Sequence, residues 1–135
     1  GILSVIIAVL SLGVLYNLLG LDQPGELSNI SNLALTAKLF TITTAAITEE
    51  IFYRGYAIER LTDITGNIIF AGVLSGMIFL AIHYPAWGLA GAIPQIVFSI
   101  FLITFYLKTR DLIACIFMHW IINFLMIIVL PAMMI

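Results

Sequence analysis

A chain this apolar has few side chains able to carry a charge, move a proton or aim a strong hydrogen bond. Six of them stand out in three short runs: Glu49, Glu50 and Arg54; His83; His119 and Asn123. A charge at the centre of a membrane helix costs about 2.5 to 3.5 kcal/mol on the insertion scale, and by default it marks a functional site. At about 100° per residue, Glu50 and Arg54 fall about 40° apart and one turn along a common helix face, so they can pair and cancel both charges. Glu49 points about 100° away from Glu50 and about 140° from Arg54. It is the surplus carboxylate, and left unpaired it would be lost energy or sit protonated. His119 and Asn123, four residues apart, share a second face, and His83 follows Phe79 by one turn on a third segment. A carboxylate near an imidazole can hold a water and act as general base for attack on a carbonyl. A second imidazole with an amide NH₂ can donate hydrogen bonds to the oxyanion that develops. The set fits acyl transfer to water, in other words peptide hydrolysis.

The elements that must bring these residues together are membrane helices. Of 135 residues, 63% are hydrophobic and 9% charged, against roughly 25% charged in a soluble domain. Between Ile64 and Leu107 the only ionisable side chain other than tyrosine is His83, and beyond Leu112, Cys115 aside, it is His119. Apolar stretches of about 18 residues or more mark membrane spans. Five helices can be drawn, over about 2–20, 33–61, 67–84, 95–107 and 112–130, the fourth being short for a full span. Turn-rich runs separate them: LDQPGELSN, TDITGN with Gly66 as a stop, PAWGLAGAIP and KTRD. The expected architecture is all-α, a polytopic transmembrane bundle of about five helices around a polar intramembrane cavity, forming one domain over residues 1–135. Arg60, Lys108 and Arg110 collect on one side, which the positive-inside rule places in the cytoplasm together with the N-terminus. Gly72 and Gly76 form a GxxxG pair that lets another helix pack close.

A net charge of −2 without a basic run excludes nucleic acid as a partner. The single cysteine, Cys115, excludes an internal disulfide. The first twenty residues lack the basic start and small-residue cleavage site of a signal peptide.

The three runs, in this order, resemble a known family. EEIFYR at 49–54 matches an EExxxR motif, FLAIH at 79–83 matches FxxxH, and HWIIN at 119–123 matches HxxxN. Together they are similar to the CPBP family (CAAX protease and bacteriocin-processing, or Abi), which includes the type II CAAX prenyl endopeptidases. The resemblance implies a glutamate-dependent intramembrane protease. Glu49 would activate the water with His83, His119 and Asn123 would form the oxyanion hole, and Glu50 and Arg54 would support the site. The expected partners are the lipid bilayer and a peptide or protein substrate entering from the membrane or the cytoplasmic face. The expected location is the cell (plasma) membrane, and neither metal nor other cofactor is expected.

Plainer readings exist for each residue. Glu50–Arg54 can be a purely structural ion pair, His83 an interfacial histidine near a helix end, and His119 with Asn123 hydrogen-bonding glue between helices. Cys115 lies one turn before His119, so a Cys–His couple is conceivable, although a packing thiol is the ordinary case. Thr41, Thr43 and Thr44 are expected to bond back to their own helix. At the level of function the alternatives are a zinc-dependent protease using Glu49, His83 and His119, a non-catalytic immunity or regulatory protein that keeps the cavity for binding, and a small transporter with Glu49 as proton relay. Level, parallel helices would put His83 about 24 Å and His119 about 12 Å from one membrane face. Such a layout separates the two imidazoles.

Overall fold

The structure, a computed structural model, describes residues 32–133 together with Ile7, Val9, Ser11 and Ile30. Its first long element is a continuous rod. Helix α1 (Leu35–Glu50) runs into a π-helical segment (Ile51–Ile58) and then into α2 (Glu59–Thr65). One helix over about 33–61 is what the apolar pattern predicts. The looser i→i+5 winding begins directly after Glu50, and π segments of this kind are rare and frequently found at functional sites. Gly66 ends the rod in the left-handed region at φ 68°, its N–H bonded to the Thr62 carbonyl at 2.8 Å, a conformation that glycine reaches without steric cost. Asn67 then caps the next helix, its side-chain oxygen accepting from the N–H groups of Ile69 and Phe70, both at 3.0 Å.

Helices α3 (Ile68–Gly88) and α4 (Gly91–Thr109) meet at a break centred on Gly88, whose φ of 62° and ψ of −169° no helix accommodates. The break falls inside the run PAWGLAGAIP, where an interruption is expected, but it is shorter than that run, because helix persists to Gly88 and resumes at Gly91. Pro85 stays inside α3, as membrane helices allow when neighbours take up the freed carbonyl. Pro94 lies in the first turn of α4, where the missing N–H would have no partner in the helix anyway. As a result α4 is 19 residues long and not the short segment 95–107. Arg110 turns the chain with φ 55°, and Asp111 caps helix α5 (Leu112–Phe124) by accepting from the Ala114 N–H at 2.9 Å. A second π segment (Leu125–Val129) and a short α6 (Leu130–Met133) complete the last rod.

Among the described residues, three helices are long and apolar enough to cross a membrane: Ile68–Gly88, Gly91–Thr109 and Leu112–Ala132. The count of about five is not reached among them. The expected first helix (2–20) lies outside the described residues apart from Ile7, Val9 and Ser11, and the 35–65 rod carries seven charged side chains. Its outer face is nonetheless apolar, with Phe40, Ile47, Ile51 and Phe52 exposed, as are Phe70, Val73, Met77, Ile100 and Phe117 on the three spans. An apolar surface this extensive belongs in lipid. The protein is an all-α membrane helix bundle.

Close packing fixes the helices to each other. A Cβ built at Gly76 would lie 2.7 Å from Ile103 Cδ1, and one at Gly72 3.0 Å from Ile103 Cγ2, so the partner that the GxxxG pair admits is α4. Between those glycines Ser75 is buried and donates to the Tyr53 carbonyl at 2.9 Å, which ties α3 to the π segment. Trp120 Nε1 donates to Thr43 Oγ1 at 2.9 Å and joins α5 to α1, so the Thr43 hydroxyl serves a neighbouring helix and, among the described residues, does not bond back to its own as expected. Val9, Phe98, Leu102, Met118 and Ile122 form one apolar cluster, and Ile58, Ala71, Tyr106 and Cys115 another.

Candidate active site

Glu49 and Glu50 are the last residues of α1, and their surroundings differ completely. Glu50 is wholly buried, and its Oε1 accepts from Arg54 Nη1 at 2.9 Å and from His119 Nδ1 at 2.7 Å. The Glu50–Arg54 pair is thus the one the spacing predicts, and it survives the change from α to π winding. Arg54 is 1% exposed and stacks over the Phe79 ring, 5.5 Å from its centroid. The bond to His119 has no local signal in the sequence, because nothing in a helix-spacing rule relates position 50 to position 119.

Glu49 keeps 23% of its side chain exposed and stands between two imidazoles. Its Oε1 lies 3.7 Å from His83 Nε2 and its Oε2 3.8 Å from His119 Nε2. The far nitrogen of each ring is engaged. His83 Nδ1 lies 2.7 Å from the Phe79 carbonyl, which can only accept, so that nitrogen carries the hydrogen. His119 Nδ1 donates to Glu50 by the same logic. Both rings therefore turn Nε2 toward one carboxylate, at separations too long for a direct hydrogen bond and suited to a bridging water or substrate group. Because both imidazoles reach Glu49, α3 and α5 are not level and parallel, and the expected separation of the two histidines does not arise.

Asn123 lies one turn beyond His119 and lines the same cavity as Glu49, His83 and His119. Among the described residues its amide makes no hydrogen bond, which counts against a role as interhelical glue. Four predicted residues thus share one cavity, and Glu50 lies behind His119 and holds it while Arg54 holds Glu50. Cys115 forms no couple with His119; it is fully buried among Ile58, Ala71 and Tyr106. Among the described residues no group of three His, Cys, Asp or Glu side chains is arranged to hold a metal ion, so the proposed zinc set has no geometric support.

A second, more apolar cavity adjoins the first, with His119 and Asn123 on both walls and Arg54, Phe98 and Leu102 on its far side. Gln95 also lines both. A helix over about 95–107 puts Gln95 at its very edge beside Pro94, which hides it from sequence reasoning. The available signal is its type: a carboxamide in an apolar span needs a partner or a cavity.

No curated protein and no solved structure is significantly similar to the chain. Residues 31–125, which contain every polar residue of this site, match the family described as type II CAAX prenyl endopeptidase Rce1-like, and the chain belongs to that family of CAAX-type membrane proteases.

Proposed function

We propose that the chain is an intramembrane endopeptidase that hydrolyses a peptide bond with a water activated by Glu49 and His83. The observation that carries this reading is Glu49 itself, partly exposed to a cavity and facing Nε2 of two histidines at 3.7 and 3.8 Å. A water between Glu49 and His83 gives its proton to the Glu49 carboxylate as its oxygen attacks the carbonyl carbon. The carbonyl π electrons move onto oxygen, and that oxyanion accepts hydrogen bonds from the Asn123 NH₂ and from His119 Nε2. To donate there, His119 must carry hydrogen on both nitrogens, with Glu50 as its counterion through Nδ1. The cluster then holds two carboxylates, Glu49 and Glu50, against two cations, Arg54 and His119, and its net charge is zero. A buried cluster is least costly when balanced in this way. Collapse of the tetrahedral centre breaks the C–N bond, and the proton held by Glu49 passes to the leaving nitrogen.

The substrate we infer is a peptide or protein segment that reaches the cavity from the membrane or the cytoplasmic face, and the membrane is the plasma membrane. The test compares peptide termini, by mass spectrometry, in membranes from cells expressing the wild type or Glu49→Gln. Termini present with the wild type and missing with the variant support the protease. Identical termini with both, the variant being folded, would overturn it in favour of a binding role for the cavity.

A further inference from the structure

On α4, Gln95, Phe98, Ser99 and Leu102 recur at the spacing of one helix face, and all four line the second cavity. Two of them are polar, and they are placed differently. The Gln95 amide makes no hydrogen bond among the described residues. Ser99 is 3% exposed, and its hydroxyl oxygen is closed off from solvent and lies against Gly76 of α3. The rest of that face is apolar, so Gln95 is the polar group on it that a ligand can meet.

We propose that this face of α4 is a substrate-binding subsite in which Gln95 pairs with one peptide group of the substrate main chain. The inference rests on the protease reading above. A carboxamide offers one acceptor and two donors, which matches the C=O and N–H of a peptide group. Phe98 and Leu102, on the same face, offer apolar contact to whatever flanks that peptide group. Gln95 also lines the cavity of Glu49 and His83, so a chain held along α4 is carried past His119 and Asn123 to the water-activating pair. The subsite reads main chain, and it places the scissile carbonyl without taking part in the bond changes.

The test uses the full chain purified in detergent and a synthetic quenched peptide copying the most abundant Glu49-dependent cleavage site found in membranes. Steady-state kinetics are compared for the wild type, Gln95→Leu, Gln95→Asn and Ser99→Ala, with melting temperature measured for each. Loss of binding energy shared by substrate and transition state raises KM and leaves kcat unchanged. Gln95→Leu is expected to raise KM about tenfold with kcat within about twofold, on the scale of one or two lost hydrogen bonds. Gln95→Asn should recover part of that loss, and Ser99→Ala, whose hydroxyl faces Gly76, should leave KM unchanged, all with unchanged melting. Unchanged KM in Gln95→Leu, or a fall in kcat alone, would overturn the subsite while leaving the protease standing. Absence of any Glu49-dependent cleavage would remove the protease reading and the subsite with it.

Discussion

Two carboxylates in this molecule each hold an arginine and a ring donor, and they do so in opposite settings. Inside the bundle, Glu50 Oε1 accepts from both Arg54 and His119, while Glu50 Oε2 and Arg54 Nε stay buried without a hydrogen-bond partner among the described residues. At the end of the bundle, Glu59 uses both oxygens. Its Oε1 accepts from the Tyr106 hydroxyl at 2.8 Å and its Oε2 from Arg110 at 2.7 Å, with the guanidinium over the Tyr106 ring. The Arg110 and Glu59 side chains are 45% and 38% exposed. The outer cluster is saturated, relieved by solvent, and placed where it pins the α4–α5 turn to α2. The inner cluster is buried and under-satisfied, an expensive way to hold helices together when apolar side chains would do as well. What it does that apolar packing cannot is fix the ring of His119 with Nε2 toward Glu49.

That contrast can be broken in graded ways. The largest effect on stability falls on the inner cluster. Glu50→Ala strands a buried Arg54 and is expected to cost about 3 to 5 kcal/mol, measured by denaturation in detergent. The double variant Glu50→Gln with Arg54→Met should lose less than the sum of its single changes, because it removes both charges together. Gly76→Val comes next. Its side chain enters the space of Ile103 on α4, and an overpacked contact of this kind costs about 1 to 3 kcal/mol. Ser75→Ala removes the tie to the π segment at Tyr53, with an expected loss of about 1 kcal/mol. Arg110→Ala is the smallest, about 0.2 to 1 kcal/mol for an exposed pair, with proteolysis unaffected. An Arg110→Ala loss as large as that of Glu50→Ala would mean that the two clusters do the same work.

The sequence disclosed the parts of the site that are local. Glu50–Arg54 and His119–Asn123 are one-turn relations, and the apolar runs around them locate the helices. It disclosed less where the answer depends on packing. The π segment after Glu50 has no distinctive composition; a buried Ser75 from another helix bonds to its Tyr53 carbonyl. The interruption expected over PAWGLAGAIP shrinks to a break at Gly88 with Pro85 and Pro94 in helix on either side, since in apolar surroundings backbone groups must be paired and helix is the way to pair them. The bond from His119 to Glu50 spans 69 residues and arises only when α5 packs against α1. Gln95 was visible in type and hidden in context.

The central claim is that two adjacent carboxylates have separate duties, Glu49 in the chemistry and Glu50 in holding His119. The most direct measurement takes the purified wild type, Glu49→Gln and Glu50→Gln, and records melting temperature and cleavage rate on the same samples. The account predicts that Glu49→Gln melts as the wild type does and loses about 10² to 10⁴ in rate, the usual worth of a general base, whereas Glu50→Gln melts lower. A Glu49→Gln protein that is folded and fully active would contradict it.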